Sequence, residues 1–178
     1  MAEHPLHKAV GELLNKYAEK NGLDPRLDPA CSNNKSSKQH IPLFLSSKSL
    51  ATRLCCVDAM LLKNGKIAVV IEIEESNIKP TQICGKYLTT ALSSVYHHKN
   101  EPKPIIMEKN SVNFIQVLDI SSPHKKEQAE NIEVAIDGKG YGCIKRYDII
   151  HINKKEKGYI KDLENKLYVV LKKNGVIA

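Results

Sequence analysis

Apolar residues along this chain follow two periods, one typical of helices and one typical of strands. The helical period predicts helices over residues 5–20, 78–97 and 159–173, with a weaker pattern over 125–136. Short apolar runs predict strands over 53–62, 66–75, 112–120 and 143–152, and a further short strand just after Pro42. Residues 24–40 are largely polar and have no apolar period, which predicts a loop.

The clearest unit is the pair of apolar runs on either side of Asn64-Gly65. This dipeptide is typical of the two-residue turn that joins antiparallel strands, so residues 53–75 are predicted to form a β-hairpin. Both runs are apolar on both faces, which indicates a sheet covered on both sides. The order of elements therefore predicts an α/β fold, with a mixed central β-sheet flanked by helices, in a single domain over residues 1–178.

Composition agrees with a folded chain and limits where it is expected to work. Hydrophobic residues make up 42% and charged residues 26% of the sequence, which is ordinary for a globular protein. No apolar run approaches the length of ~20 residues needed to cross a bilayer, and the sequence does not start with a secretory signal. We therefore expect a cytoplasmic protein without a membrane partner. The five cysteines include no Cys-x-x-Cys pair, and buried free thiols are expected.

The charge balance is basic. Lys and Arg total 27 against 20 Asp and Glu, which gives a net charge of +7 that is spread over both halves of the chain. A distributed basic excess is compatible with binding to a phosphate backbone, and also with a soluble surface rich in lysine. Nucleic acid is therefore one expected partner, although charge alone does not decide between these two interpretations.

Three carboxylates interrupt the apolar strands of the hairpin: Asp58, Glu72 and Glu74. Glu72 and Glu74 are two residues apart, so their side chains point to the same face of one strand. Asp58 precedes Gly65 by seven residues and Glu72 follows it by seven, so antiparallel pairing sets Asp58 close to Glu72. Crowded carboxylates repel one another and are costly to bury, and a hard divalent cation removes that cost. Oxygen-only ligands are those that Mg²⁺ prefers.

A second interpretation places these acids in water. The sequence VVIEIEES also fits an edge strand whose glutamates face solvent, because edge strands often carry charges. That arrangement explains Glu72 and Glu74 but leaves Asp58, within CCVDAMLL, unexplained. A metal site is therefore the favoured interpretation.

The stretch VDAMLLKNGKIAVVIEIEES, followed by a predicted helix, resembles the core motif of the PD-(D/E)XK nucleases. In that family an Asp on one hairpin strand is followed by an apolar strand that ends in Glu-x-Lys or Glu-x-Glu. The resemblance implies a restriction-endonuclease-like core, Mg²⁺ as the cofactor, double-stranded DNA as the partner and a homodimer. It also implies that Asp58 and Glu72 hold the metal and that Glu74 orients or deprotonates the attacking water.

The sequence departs from the commonest family pattern at the third motif position, where Glu74 stands in place of a lysine. Under the resemblance, a lysine of the following helix supplies the positive charge, with Lys86 as the catalytic candidate and Lys79 as a possible accessory residue. Either lysine also fits a surface position. Glu12 in the first helix is an accessory candidate, because many relatives place a glutamate there. A solvent-facing position is the alternative for Glu12.

The function implied by the resemblance is that of a Mg²⁺-dependent DNA endonuclease, with a type II restriction-type enzyme as the first expectation. One alternative is a structure-specific nuclease of the Holliday-junction type, which uses the same metal chemistry. Another is a non-catalytic DNA-binding protein that retains the fold, and the missing motif lysine favours this one.

Overall fold

A computed structural model describes residues 4–32, 40–75, 78–98, 103–136 and 140–178 of the chain. In chain order its elements are α1 (Pro5–Asn21), β1 (Asp24–Leu27), β2 (Ile41–Phe44), β3 (Arg53–Val57), β4 (Ala59–Lys63), β5 (Lys66–Glu74), α2 (Pro80–Leu92), β6 (Val95–Tyr96), β7 (Ile105–Ile106), β8 (Val112–Asp119), α3 (Pro123–Ile136), β9 (Ile144–Ile152) and α4 (Tyr159–Lys173). The predicted α/β class is confirmed.

The strands form two sheets. The larger sheet has five strands in the order β1–β4–β5–β8–β9, in which β1, β4 and β5 are antiparallel neighbours and β5, β8 and β9 run parallel. The smaller sheet has four antiparallel strands in the order β3–β2–β6–β7. The larger sheet is thus the mixed sheet that the sequence predicts.

Helices cover both faces of the larger sheet, as predicted. On β5, Val69 and Ile71 belong to the apolar cluster that includes α1 and α4, whereas Val70 belongs to the cluster on the α2 side. Because side chains alternate along a strand, Glu72 and Glu74 share the face of Val70. The two glutamates therefore lie under α2 rather than in solvent, and both are buried.

The hairpin around Asn64-Gly65 is confirmed. Asn64 and Gly65 both have left-handed backbone angles, with φ of 53° and 73°, as the turn that matches strand twist requires. Antiparallel pairing of β4 with β5 sets Ala59 opposite Ile71. The next position along each strand is Asp58 on one side and Glu72 on the other, so the two acids meet as predicted.

Two predictions about strands are wrong. Residues 53–62 do not form one strand, because the chain leaves the smaller sheet at Val57 and enters the larger one at Ala59, with Asp58 at the crossing. Residues 24–40 are not all loop, since Asp24–Leu27 forms edge strand β1 against β4. An edge strand tolerates Pro25, which lacks a backbone donor, and this is why the segment does not read as a strand.

Two predicted boundaries also shift. Strand β2 includes Pro42 rather than starting after it, because it begins at Ile41. Helix α2 ends at Leu92, and Val95–Tyr96 becomes a short strand that pairs with β2 and β7. Among the described residues, no helix combines the length and apolar character needed to cross a membrane.

Candidate active site

Asp58 lies where the chain passes from one sheet to the other. Its Oδ2 accepts a hydrogen bond of 2.7 Å from the backbone N–H of Ile73, and its own carbonyl accepts one of 2.9 Å from the N–H of Asp28. The carboxylate is therefore fixed against the end of β5 by the main chain. This contact explains why an acid is found at the break between two apolar strands, where no ladder partner satisfies that N–H.

Lys86 joins the three predicted acids. Its ammonium nitrogen Nζ lies 2.7 Å from Oε2 of Glu72, 2.8 Å from Oε1 of Glu74 and 3.5 Å from Oδ2 of Asp58. Helix α2 begins with Pro80 at its first position, and Ile83 packs into the core, so Lys86 follows one turn later on the side that faces the sheet. We call these four residues, Asp58, Glu72, Glu74 and Lys86, the carboxylate–lysine cluster.

The side chains of the cluster differ in their exposure to solvent. The side chain of Glu72 is 1% exposed and that of Glu74 is 11% exposed, whereas the side chain of Lys86 is 30% exposed. Lys86 is thus the most exposed member of the cluster, and Glu72 is the most buried.

Burial and charge perturb both members of the closest pair. Burial raises the pKa of Glu72 well above its ordinary value, and the neighbouring charge of Asp58 raises it further, while Lys86 opposes the shift. Burial disfavours the ammonium of Lys86, but the charges of Glu72, Asp58 and Glu74 outweigh burial and raise its pKa. Lys86 is therefore charged at neutral pH, whereas charge on Glu72 is costly.

The floor of the cluster is polar and held rigidly. Gln116 pairs with Glu72 across the parallel β5–β8 ladder and is fully buried. Its amide nitrogen donates to the carbonyl of Ile83 in α2, and its oxygen accepts the hydroxyl of Tyr147 from β9. This chain of hydrogen bonds ties α2, and with it Lys86, to strands β8 and β9 of the sheet.

The donor set of the cluster fits Mg²⁺. All three acids offer oxygen, and Oε1 of Glu72 is buried without a hydrogen-bond partner among the described residues. A buried carboxylate oxygen that no donor reaches is available to a cation and is otherwise costly. Asp58 and Glu72 remain the two residues predicted to hold such an ion.

A histidine that the sequence analysis does not single out lies beside the cluster. Nε2 of His7 in α1 is 3.8 Å from Oδ2 of Asp58, and Nδ1 is 2.8 Å from Oε1 of Glu75, the residue that follows β5. The other oxygen of Glu75 contacts Nζ of Lys154 at 2.9 Å, and Lys154 also reaches Asp119 at 3.3 Å. Polar side chains thus continue from the cluster along the carboxyl ends of β5 and β8.

The two accessory candidates lie at the surface. Glu12 is exposed on α1, and it is His7 of the same helix that reaches Asp58. Lys79 caps the start of α2 and is exposed, whereas Lys86 contacts the acids. Of the two lysines that the sequence offers, the geometry favours Lys86.

Comparison with known proteins adds no relative. The chain matches no protein-family model, no curated protein and no solved structure.

We expect Glu72→Gln to stabilise the metal-free protein at high pH and to have little effect at low pH. The folded protein holds the Glu72 proton more tightly than the unfolded chain, so ionisation above the unfolded pKa costs stability that a neutral amide does not lose. With EDTA the Tm of Glu72→Gln should exceed that of wild type at pH 8, and near pH 4 the difference should vanish. Exposed Glu19→Gln is the control for thermal unfolding. A gain that is larger at pH 4 than at pH 8 would contradict this expectation.

Proposed function

We propose that this protein is a Mg²⁺-dependent endonuclease of the type II restriction type, which hydrolyses phosphodiester bonds in double-stranded DNA. The observation that carries the proposal is the convergence of three carboxylates on the single ammonium of Lys86. An ordinary buried salt bridge pairs one acid with one base, because additional buried charge is costly. The excess of acid in the cluster is what a divalent cation balances.

The order of the cluster residues along the chain supports the resemblance to PD-(D/E)XK nucleases. An acid stands at the start of a hairpin strand, two acids at Glu-x-Glu spacing end the next strand, and a lysine follows on the next helix. In the commonest family pattern the lysine is at the position of Glu74. Contact between Lys86 and all three acids supports the interpretation that the lysine has moved to α2.

Each residue of the cluster has a separate task in this proposal. Asp58 and Glu72 hold the cation, which when bound polarises the scissile phosphate and makes a water more acidic. Glu74, on the same face and nearer to solvent, orients the attacking water and accepts its proton. Lys86, the most exposed residue of the cluster, stabilises the negative charge that develops on the phosphate oxygens.

The substrate class, double-stranded DNA, comes from the family resemblance, and the basic charge of the chain is compatible with it. A net charge of +7 favours a polyanion, and a phosphodiester backbone is the polyanion on which this chemistry acts. A homodimer, which cuts both strands of a duplex, belongs to the proposal through the family resemblance. A cytoplasmic location belongs to it as the expectation from the sequence.

A panel of DNA substrates tests the function. The purified full chain is incubated in Mg²⁺ with supercoiled plasmid, linear duplex, single-stranded DNA and a synthetic four-way junction, each with an EDTA control. Discrete plasmid fragments are expected for the proposed restriction-type enzyme. Cleavage restricted to the junction would support the structure-specific alternative instead. Binding without cleavage of any substrate would overturn the catalytic proposal and favour the non-catalytic one.

Affinity for duplex DNA is expected to fall steeply with salt. With Ca²⁺ in place of Mg²⁺ to suppress cleavage, the logarithm of the association constant should fall linearly with the logarithm of salt concentration, by roughly 0.9 per phosphate contact. Fluorescence anisotropy of a labelled duplex, between about 50 and about 200 mM salt, measures the slope. A flat response would remove the phosphate backbone from the binding surface.

A further inference from the structure

We propose that His4, His7 and Glu75 form a second metal site, suited to Zn²⁺ and related transition metals and separate from the carboxylate–lysine cluster. The first two residues lie at the start of α1 and the third follows the end of β5. One ligand atom from each residue can be chosen so that all three lie within 4.8 Å of one another. The site does not depend on the proposed nuclease activity.

Local geometry sets the two imidazoles side by side. His4 directly precedes α1, and His7 is three residues further along, so both rings project from one side of the first turn. The ring centroids are 5.2 Å apart, with the planes tilted by 66°. Glu75 approaches the same point from the sheet, and its Oε1 shares a 2.8 Å hydrogen bond with Nδ1 of His7, which an ion bound between the two atoms would replace.

The donor set differs in kind from that of the carboxylate–lysine cluster. Two imidazole nitrogens and one carboxylate oxygen suit Zn²⁺, which often has three protein ligands of this type and an open fourth position. The all-oxygen set of Asp58 and Glu72 suits a hard cation such as Mg²⁺. The chain therefore offers two neighbouring sites that select different metals.

The groups behind the ligands are already in place. Oε2 of Glu75 accepts from Nζ of Lys154 at 2.9 Å, and the backbone N–H of His7 donates to Oε1 at 2.9 Å. The far ring nitrogen of His7 lies 3.8 Å from Oδ2 of Asp58. That separation is longer than a hydrogen bond, so the outer contacts in place are the donors to Glu75, which are of the kind that orient a ligating carboxylate in metal sites.

An ion at this site would join the start of α1 to the end of β5. His7 and Glu75 are 68 residues apart in the chain, so binding would link distant segments of the fold. Because the metal binds the folded chain and not the separated residues, it should raise the Tm, and the rise should grow with the logarithm of the metal concentration once that exceeds the dissociation constant. The site should therefore act as a structural clamp beside the carboxylate–lysine cluster.

Metal titration of the full chain without a histidine tag and without DNA tests the site. Co²⁺ serves as the probe, since its visible absorption reports nitrogen and oxygen ligands, and Zn²⁺ should displace it. We expect one Co²⁺ per chain and a rise in Tm with Zn²⁺. His4→Ala should weaken binding at least about tenfold, because removal of even an outer contact costs 10–100-fold.

Two further variants separate this site from its neighbour. His4 is exposed, so His4→Ala keeps the fold even if His7→Ala does not. Glu72→Gln alters the carboxylate–lysine cluster and should leave Co²⁺ absorption unchanged. Equal binding by His4→Ala and wild type, or loss of binding in Glu72→Gln alone, would overturn the proposal. Either result leaves the nuclease proposal standing, because no DNA is present in the titration.

Discussion

Asp58→Asn should abolish Mg²⁺-dependent cleavage of DNA while leaving the protein folded. The substitution removes a charged metal ligand, and loss of metal-ion stabilisation worth several kcal/mol corresponds to a rate at least about 10³-fold lower. The fold should survive because the amide oxygen of asparagine can still accept the N–H of Ile73, as Oδ2 of Asp58 does. Single-turnover cleavage of plasmid DNA measures the rate, and thermal unfolding measures the stability.

Asp148→Asn is the matched control for Asp58→Asn. Asp148 is also a buried acid of the larger sheet, and it contacts Lys173 and Asn174 rather than the carboxylate–lysine cluster. Its variant should cut DNA at the wild-type rate. Wild-type cleavage by Asp58→Asn would remove this residue from the catalytic site, and an equal loss in both variants would point to a general structural effect.

Lys86→Met should slow cleavage and strengthen binding of divalent cations. Loss of a positive group that faces the reacting phosphate costs about 10²–10³-fold in rate. In the free protein the ammonium occupies the position among Glu72, Glu74 and Asp58 that favours a cation, so its removal should leave these oxygens open to Mg²⁺. Cleavage at saturating Mg²⁺ gives the rate, and Mg²⁺ titration of the free protein gives the affinity.

Lys173→Met provides the control for Lys86→Met. Lys173 also pairs with a buried acid, Asp148, but lies at the end of α4 away from the cluster. It should change neither the rate nor the affinity for Mg²⁺. Undiminished cleavage by Lys86→Met would show that Lys86 does not take the place of the lysine in the family motif. It would favour the alternative in which the main task of this protein is binding.

The hairpin and its acids could be predicted because local rules decide them. Asn64-Gly65 fixes the turn, the turn fixes the register, and the register brings Asp58 and Glu72 together. The alternation of side chains then places Glu74 on the face of Glu72. Lys86 is predicted ahead of Lys79 from the sequence, but its contact with all three acids depends on how α2 packs against the sheet, which the sequence alone does not show.

The change of sheets at Asp58 and the contact of His7 with Glu75 could not be predicted, because they depend on contacts between distant segments. Residues 53–62 form one apolar run, and nothing within it shows that the chain changes sheets at Asp58, because both sheets bury such residues. His7 lies among the apolar residues of α1 and meets Glu75 only after α1 docks on the sheet. The sequence does hint at a role for Glu75, since it belongs to the same acidic run as Glu72 and Glu74.

The proposed function requires the carboxylate–lysine cluster to be a metal-dependent phosphodiesterase centre. One experiment tests this requirement most directly: wild type and Glu72→Gln are each incubated with the same supercoiled plasmid, once in Mg²⁺ and once in EDTA. Glu72 is the most buried acid of the cluster, and Gln preserves its size, so the folded variant differs mainly in charge at the metal position. Wild type should convert the plasmid in Mg²⁺ and not in EDTA, and Glu72→Gln should leave it intact in both. Conversion by wild type in EDTA, or by Glu72→Gln at the wild-type rate in Mg²⁺, would contradict the assignment.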